Sequence, residues 1–348
     1  MKKLFLILVI SGFTYLAEAQ VKTEYQVYCI GFYNLENLFD TINDPTNDES
    51  FTPEGEYHYN TAIYKDKLQK LSFVLSKIGK SESPDGLAFW GTAEIEHQHC
   101  LEDLCKQPLL ASRGYKVIEH ESPDYRGIDC AFVYNPKYFT PTNSTVLPMR
   151  YKQPNDTTPS TTRDILWVEG IMNGETFHVF VNHWPSRRGG EEATAPLRDM
   201  AALICKTKVD SIYKSNPNCK IIVMGDLNDD PVSNSVKNIL NAKGKIAEVP
   251  KGGLFNPFYE YYKKGLGTMA FRDAWGLFDQ IIVSHSFIDK NQNGLFFFKA
   301  NVFHEDFMVQ KSGPFKGYPS RTFSGSEYNG GFSDHYPTYI SLLKAKNK

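Results

Sequence analysis

Residues 221–229 read Ile221-Ile222-Val223-Met224-Gly225-Asp226-Leu227-Asn228-Asp229. Four consecutive apolar residues make a strand of the buried type, and it runs straight into Gly225 and Asp226. The same device recurs along the chain. Phe177–Val181 is apolar apart from His178 and leads into Asn182 and His183; Leu87–Trp90 leads to Glu94; a strand over Tyr25–Phe32 is followed by Asn34 and Glu36. Asp279 opens the run to Ser284, Asp129 opens a strand to Tyr134, and Asp334-His335 precedes a closing strand over Tyr339–Leu343. Between the strands, Ile63, Leu68, Leu71, Leu75 and Ile78 fall near helical spacing, with Gly79 as the C-terminal cap. Pro196–Tyr213 reads as a second helix, with Thr194 and Pro196 near its start. Strands and helices interleave without a composition break, which predicts one α/β domain over residues 20–348.

A sheet that presents carboxylates, amides and histidines at its strand ends is building a polar site on a rigid scaffold. Carboxylate and amide oxygens suit a hard cation such as Mg²⁺, Mn²⁺ or Ca²⁺. Two histidines without a cysteine partner suit proton transfer. Each piece has an ordinary alternative when read alone: Gly225–Asp229 as an Asp/Asn turn, Ser333-Asp334-His335 as a surface turn, Asn34 and Glu36 as helix caps. Their joint order along the chain is what carries the reading.

The 348 residues suffice for a large core, and 41% hydrophobic with 22% charged residues excludes a wholly disordered chain. A formal net charge of -2 provides no global basic field, so any phosphate-binding surface must be local. Met1-Lys2-Lys3, the apolar run Leu4–Phe13 and Ala17-Glu18-Ala19 form a signal-peptide pattern, so residues 1–19 are expected to be removed and the protein exported, to the periplasm or the medium. Of the six cysteines, Cys29 and Cys130 lie in strand-like runs and read as buried thiols, whereas Cys100 and Cys105 are close enough in sequence for a local bridge. No C-x-x-C pair supports a zinc ribbon or a thioredoxin-type site.

The ordered set Phe32-Tyr33-Asn34-Leu35-Glu36-Asn37, Thr92-Ala93-Glu94-Ile95, Arg126-Gly127-Ile128-Asp129, Asn182-His183-Trp184-Pro185-Ser186-Arg187, Gly225-Asp226-Leu227-Asn228, Phe278-Asp279-Gln280-Ile281 and Ser333-Asp334-His335 resembles the endonuclease/exonuclease/phosphatase superfamily. That superfamily includes pancreatic-type deoxyribonucleases, abasic-site endonucleases, sphingomyelinases and inositol phosphatases. The resemblance implies a four-layer sandwich of two mostly antiparallel sheets with helices outside. It implies that Glu94 is the main ligand of a divalent cation, Mg²⁺ before Mn²⁺ or Ca²⁺, with Asn34, Glu36 and Asp334 beside it. His183 and His335 match the active-site histidines, Asp226 and Asn228 the pair that positions water and phosphate, and Asp279 the acid that orients His335. Asp129 is a looser match as a support for His183. Ala93 departs from the pattern, standing where many relatives have Gln.

Arg187 and Arg188, with Arg198 beyond them, stand where they can clamp neighbouring phosphates. Arg321 lies in a Gly- and aromatic-rich segment, residues 285–332, expected to shape substrate entry. These features favour a metal-dependent phosphodiesterase acting on nucleic acid, a nuclease. A lipid phosphodiesterase or phosphatase of the same fold is the alternative, with Leu295-Phe296-Phe297-Phe298 the nearest candidate for an apolar membrane-contacting hairpin or, equally, a buried strand. A ligand-binding pseudoenzyme is disfavoured by the complete residue set. The absence of a G-x-S-x-G elbow disfavours acyl transfer.

Overall fold

The apolar runs pair into two large sheets. A computed structural model describes residues 24–152, 160–289 and 294–346; the expected signal peptide, residues 1–19, lies outside these. The first sheet runs, edge to edge, Phe296–Val302, Thr338–Ala345, Tyr25–Leu38, Leu87–Ile95, Asp129–Tyr134 and Lys116–Glu119. The second runs Ala242–Lys243, Leu254–Phe255, Asp279–Ser284, Lys220–Asp226, Glu175–His183, Ile165–Met172 and Thr140–Leu147. Most neighbours are antiparallel; Tyr25–Leu38 with Leu87–Ile95, Glu175–His183 with Lys220–Asp226, and the short Ala242–Lys243 with Leu254–Phe255 are parallel.

The sheets pack face to face through Ile30, Phe89, Phe132, Val179, Val181, Met224 and Ile281. Gly91 makes this approach possible, because a Cβ there would lie 2.6 Å from Met224 Sδ and 3.0 Å from a Val181 methyl. The outer face of the first sheet is covered by the helices Thr61–Lys77 and Gln98–Cys105, through Leu68, Leu71, Leu75, Leu101 and Leu104 against Tyr33, Trp90 and Val133. The outer face of the second is covered by Glu191–Ser215, through Ala201, Ala202, Cys205 and Val209 against Phe180, Ile221 and Val223. The result is the four-layer α/β sandwich that the sequence resemblance implies.

Local chemistry explains most boundaries. Asn60 caps the 61–77 helix by accepting from the Ala62 and Ile63 N–H groups, and Gly79 takes a left-handed φ of 69° just past its end. The 191–215 helix starts before the residues that marked it in the sequence, so Pro196 sits inside the helix and not in its first turn. Arg198 holds that opening turn by donating to the Glu191 carbonyl at 2.8 Å. The bridge considered for Cys100 and Cys105 does not form: all six cysteines are free and buried, and the two thiols face the apolar layer under the first sheet. The 295–298 run resolves as a strand start at the sheet edge, with Leu295 buried and Phe298 exposed. Among the described residues no helix is long and apolar enough to cross a membrane.

Candidate active site

Three adjacent strands of the second sheet end in register. Asp226 pairs with His183 on one side and with Asp279 on the other, so one row across the sheet carries all three side chains. Gly225 precedes Asp226 because no side chain fits: a Cβ would lie 2.2 Å from the Asn182 carbonyl oxygen. The strand ends of the first sheet meet this row across the sandwich. Asn34 Nδ2 donates to Asp226 Oδ2 at 3.2 Å, and His183 Nε2 lies 3.6 Å from Glu94 Oε1 and 3.7 Å from Asp226 Oδ2. His335, three residues before the Thr338–Ala345 strand, sets its Nδ1 2.7 Å from Asp279 Oδ2, and its Nε2 stands 3.8 Å from Asp226 Oδ2.

The backbone is bent to achieve this. Glu36, Asn37, Glu94 and Asn228 hold left-handed φ values of 51°, 55°, 61° and 48°. Pairing between the two central strands of the first sheet shifts register between Asn34 and Leu38. Such conformations cost on the order of 1 kcal/mol or more each for non-glycine residues and persist where neighbours enforce them. Here the Asn37 N–H donates to Glu94 Oε2 at 3.2 Å and the Asn228 N–H to Asp226 Oδ1 at 3.0 Å. Asn228 Nδ2 is also tied to the Trp184 carbonyl at 2.9 Å.

The electrostatics separate the two histidines. Burial pulls the His335 imidazole down, but the Asp279 and Asp226 carboxylates outweigh it and hold the ring well above the ordinary histidine range. Burial pushes His183 well below that range, and Arg163 and Arg126 add to the effect. Burial raises Asp226 to about 7, opposed by His335 and assisted by Asp279. Burial likewise raises Glu36 to about 7, assisted by Asp334 and opposed by Lys67. One imidazolium, one neutral imidazole and a carboxylate that exchanges protons near neutrality is a set suited to acid–base work.

The donors fit a hard divalent cation. Glu94 brings a carboxylate beside His183, and Asn34, whose Oδ1 accepts the Glu36 N–H at 2.9 Å and keeps a second lone pair, is tied through Nδ2 to Asp226. Asp226 and Asp279 are buried carboxylates whose excess negative charge a cation would offset. Asp279 Oδ1 and His183 Nδ1 are buried without a hydrogen-bond partner. Glu36 and Asp334 stand nearby but are already engaged. Glu36 Oε2 accepts from the Thr322 N–H at 2.7 Å and its hydroxyl at 3.0 Å, and Asp334 pairs with Arg321 at 3.1 Å.

Other expected residues fall elsewhere. Asp129 does not reach His183: its Oδ1 accepts from the Ser122 N–H at 2.8 Å, and burial near Glu119 and Glu121 raises it to about 8. Arg187 is not free to clamp phosphate. It donates to the Asn228 carbonyl at 2.9 Å, pairs with Asp229, Asp230 and Glu191 within 3.2 Å, and stacks its guanidinium on Phe278. Arg198 is 0% exposed and sits 2.8 Å from Asp229. Arg188 alone of the three is exposed, with no side-chain partner among the described residues. Arg321 keeps its place at the rim through Asp334 and lies over the Phe315 ring.

Three contributors escaped the sequence reading. Lys67, buried in the 61–77 helix, donates to the Glu36 carbonyl at 2.8 Å and to Thr322 Oγ1 at 2.6 Å. Thr322 holds the Glu36 carboxylate. Arg163 joins the Trp184 carbonyl to Asp124 at 3.0 Å each. A lysine on the apolar face of a helix, four residues after Ile63 and four before Leu71, was the one visible signal.

The fold has many solved counterparts. The mannosyl-6-phosphatase of Bacteroides thetaiotaomicron superposes with a TM-score of 0.54 at 17% identity, covering 90% of this chain and 99% of that one. TDP2 of D. rerio complexed with single strand DNA product superposes with a TM-score of 0.55 at 13% identity, covering 91% and 98%. An endonuclease/exonuclease/phosphatase from Bacteroides vulgatus gives 0.53 at 15% identity, covering 92% and 100%. No curated protein matches the chain by sequence. The model of the endonuclease/exonuclease/phosphatase family matches residues 29–344, nearly the whole described chain and every residue of the seam just described, and the protein therefore belongs to that family of phosphoesterases.

Proposed function

We propose that the protein is an exported, divalent-cation-dependent hydrolase of nucleic-acid phosphodiesters. The observation that carries the hydrolase reading is the seam itself: His183, Asp226 and Asp279 in one row, faced by Asn34, Glu94 and His335 across the sandwich. A cation held by Glu94 and Asn34, with Mg²⁺ the best match to the oxygen donors, would supply Lewis-acid charge to the phosphate. Asp226 is placed to take the proton from an attacking water, whose oxygen bonds to phosphorus as the P–O ester bond breaks, and the leaving oxygen departs as an alcohol after taking a proton from solvent. His335, its ring fixed by Asp279, donates through Nε2 to a phosphate oxygen as charge develops there. Asn228 has an amide hydrogen beyond the one given to Trp184, and this serves the same charge. Neutral His183 orients the water or an oxygen of the phosphate between Glu94 and Asp226.

The nucleic-acid reading rests on the rim. Trp275 is 38% exposed and stacks on Tyr336 at 6.0 Å, directly after His335 in the chain. Phe271, 64% exposed at the tip of the Met269–Phe271/Ala274–Gly276 hairpin, pairs with Ala274 and so lies on the face opposite Trp275, which leaves Trp275 as the exposed ring on the side of Tyr336. Aromatic faces next to a phosphate site suit stacked bases, and the DNA complex of the TDP2 counterpart is consistent with that use. A sugar-phosphate monoesterase is the second reading. It is favoured by the internal engagement of Arg187 and Arg198, which removes most of the expected clamp on flanking phosphates.

A metal-supplemented activity panel on single-stranded DNA, RNA, sphingomyelin and sugar phosphates decides between them. Cleavage of DNA or RNA that weakens on Trp275→Ala supports the proposal; turnover of sugar phosphates or sphingomyelin with nucleic acids intact overturns it. N-terminal sequencing of the exported protein should begin at Gln20, and an intact Met1 in a membrane fraction would make the segment an anchor and refute cleavage.

A further inference from the structure

A second cluster of ligand-type side chains lies outside the catalytic seam, on the loop after the first strand. Asp44 on that loop faces Glu96 and His97, which follow the Leu87–Ile95 strand, and one ligand atom from each lies within 4.8 Å of the other two. His97 Nε2 is 2.7 Å from Asp44 Oδ2, while its Nδ1 is held 2.7 Å from Glu121 Oε1. Glu96 is 1% exposed. Its Oε2 accepts the Asp40 N–H at 2.7 Å, but its Oε1 is buried with no hydrogen-bond partner. Among the described residues no lysine or arginine pairs with Asp40, Asp44, Glu96 or Glu121; only imidazoles do.

We propose that Asp44, Glu96 and His97 form a second divalent-cation site, distinct from the Glu94 centre and of the zinc-binding type. A buried carboxylate oxygen without a partner points to a missing positive ligand. Imidazole with carboxylates selects zinc or a similar transition ion over Mg²⁺ or Ca²⁺. A carboxylate on the far ring nitrogen, here Glu121, is the arrangement that orients a metal-binding histidine. Three protein ligands leave one position of a tetrahedral ion for water. Side-chain exposures of 31% for Asp44 and 27% for His97 leave an entry path.

The site has a structural consequence. The Asn37 N–H is tied to Glu94 and the Asp40 N–H to Glu96. The outer ion therefore clips together the same two chain segments that carry Asn34, Glu36 and Glu94. It is a fastener for the loop and takes no part in bond breaking.

The test uses metal-stripped full-length protein, wild type and Glu94→Gln, titrated calorimetrically with Zn²⁺ and, in parallel, with Co²⁺ followed by visible absorption. Glu94→Gln protein should bind one zinc equivalent, show the intense visible bands of four-coordinate Co²⁺, and melt at a higher temperature with zinc. Adding His97→Ala should abolish the bands and the zinc equivalent, and adding Asp44→Asn should weaken zinc at least about tenfold. Asp44→Asn decides alone if the His97 variant does not fold, as judged by far-ultraviolet circular dichroism. The inference is overturned if Glu94→Gln protein binds no zinc, the outcome expected if a protonated His97 simply bridges Asp44 and Glu121. It is also overturned if the full equivalent survives both added substitutions. If Glu94 is not a ligand, wild type and Glu94→Gln will bind alike, and the His97 and Asp44 arms still decide.

Discussion

Asp279→Asn isolates the contact that makes His335 useful. Asp279 is 0% exposed, and its Oδ2 meets His335 Nδ1 at 2.7 Å. The amide keeps the volume and removes the charge. Loss of one hydrogen bond to a charged group is worth about 1.5–3 kcal/mol, which at about 1.4 kcal/mol per decade is roughly 10- to 150-fold in rate. If the new amide donates to Nδ1, the ring becomes the neutral Nε2–H tautomer, which still donates to the phosphate but without its positive charge, so the loss stays within that range. The pH profile adds a second readout. His335 is held above the ordinary range by Asp279 and Asp226 against the pull of burial, so its imidazolium persists through neutrality and the activity it supports fades only as pH rises through that raised value. Removing the Asp279 charge lowers the value, and the alkaline limb should move to lower pH. Steady-state kinetics on a small chromogenic phosphodiester with Mg²⁺, from acid to alkaline pH, measures both. Turnover within about threefold of wild type, with the two profiles superimposed, would refute the assigned role, because loss of the charged hydrogen bond alone should cost about tenfold or more.

Glu94→Gln should weaken Mg²⁺ binding by about tenfold or more, since it removes a charge that balances the ion; full activity in excess chelator would sink the cation requirement itself. Arg187→Ala should lower thermal stability by about 1–3 kcal/mol by leaving Asp229 and Asp230 short of a partner, whereas Arg188→Ala should leave stability unchanged and make polymer cleavage less salt-sensitive. A melting temperature unmoved by Arg187→Ala would contradict the paired geometry. Asp129→Asn should stabilise the protein in alkaline buffer. The folded-state value of about 8 lies above the ordinary carboxylate value, so the wild type loses stability as pH rises from the ordinary value near 4 to about 8 and levels off beyond, and the variant's advantage should vanish near pH 4. Parallel melting curves of the two proteins across that range would exclude the burial argument.

The strands were legible where they are apolar and lost where they become chemical. Ile221–Met224 was readable as buried strand, but the ladder continues through Gly225 and Asp226, because Asp226 still pairs with His183 and Asp279. Likewise Leu87–Trp90 extends to Ile95 and Tyr25–Phe32 to Leu38, as backbone pairing carries polar residues past the end of the hydrophobic run. The types of the seam residues could be read from the sequence; their meeting could not, because Asn34 and Asp226 touch across 192 positions. Arg187 shows the opposite failure. Two adjacent arginines look available in sequence, and only the fold reveals that Asp229 and Asp230, on another loop, have claimed one of them. Pro196 misled for a local reason: as the sixth residue of the helix it withholds only the N–H that would bond the carbonyl of Glu192, a solvent-exposed residue of the opening turn.

Three contacts, Asn34 to Asp226, Glu94 to His183 and His335 to Asp279, each join a residue of one sheet, or of its lead-in, to a residue of the other. The active centre is therefore a caliper closed on the thickness of the sandwich. Its jaw opening is set where Gly91 lets Met224 and Val181 in, well inside the hydrophobic layer. A methyl group added or removed there would shift all three contacts together, so reactivity in this protein is open to tuning by purely apolar substitutions that never meet the substrate.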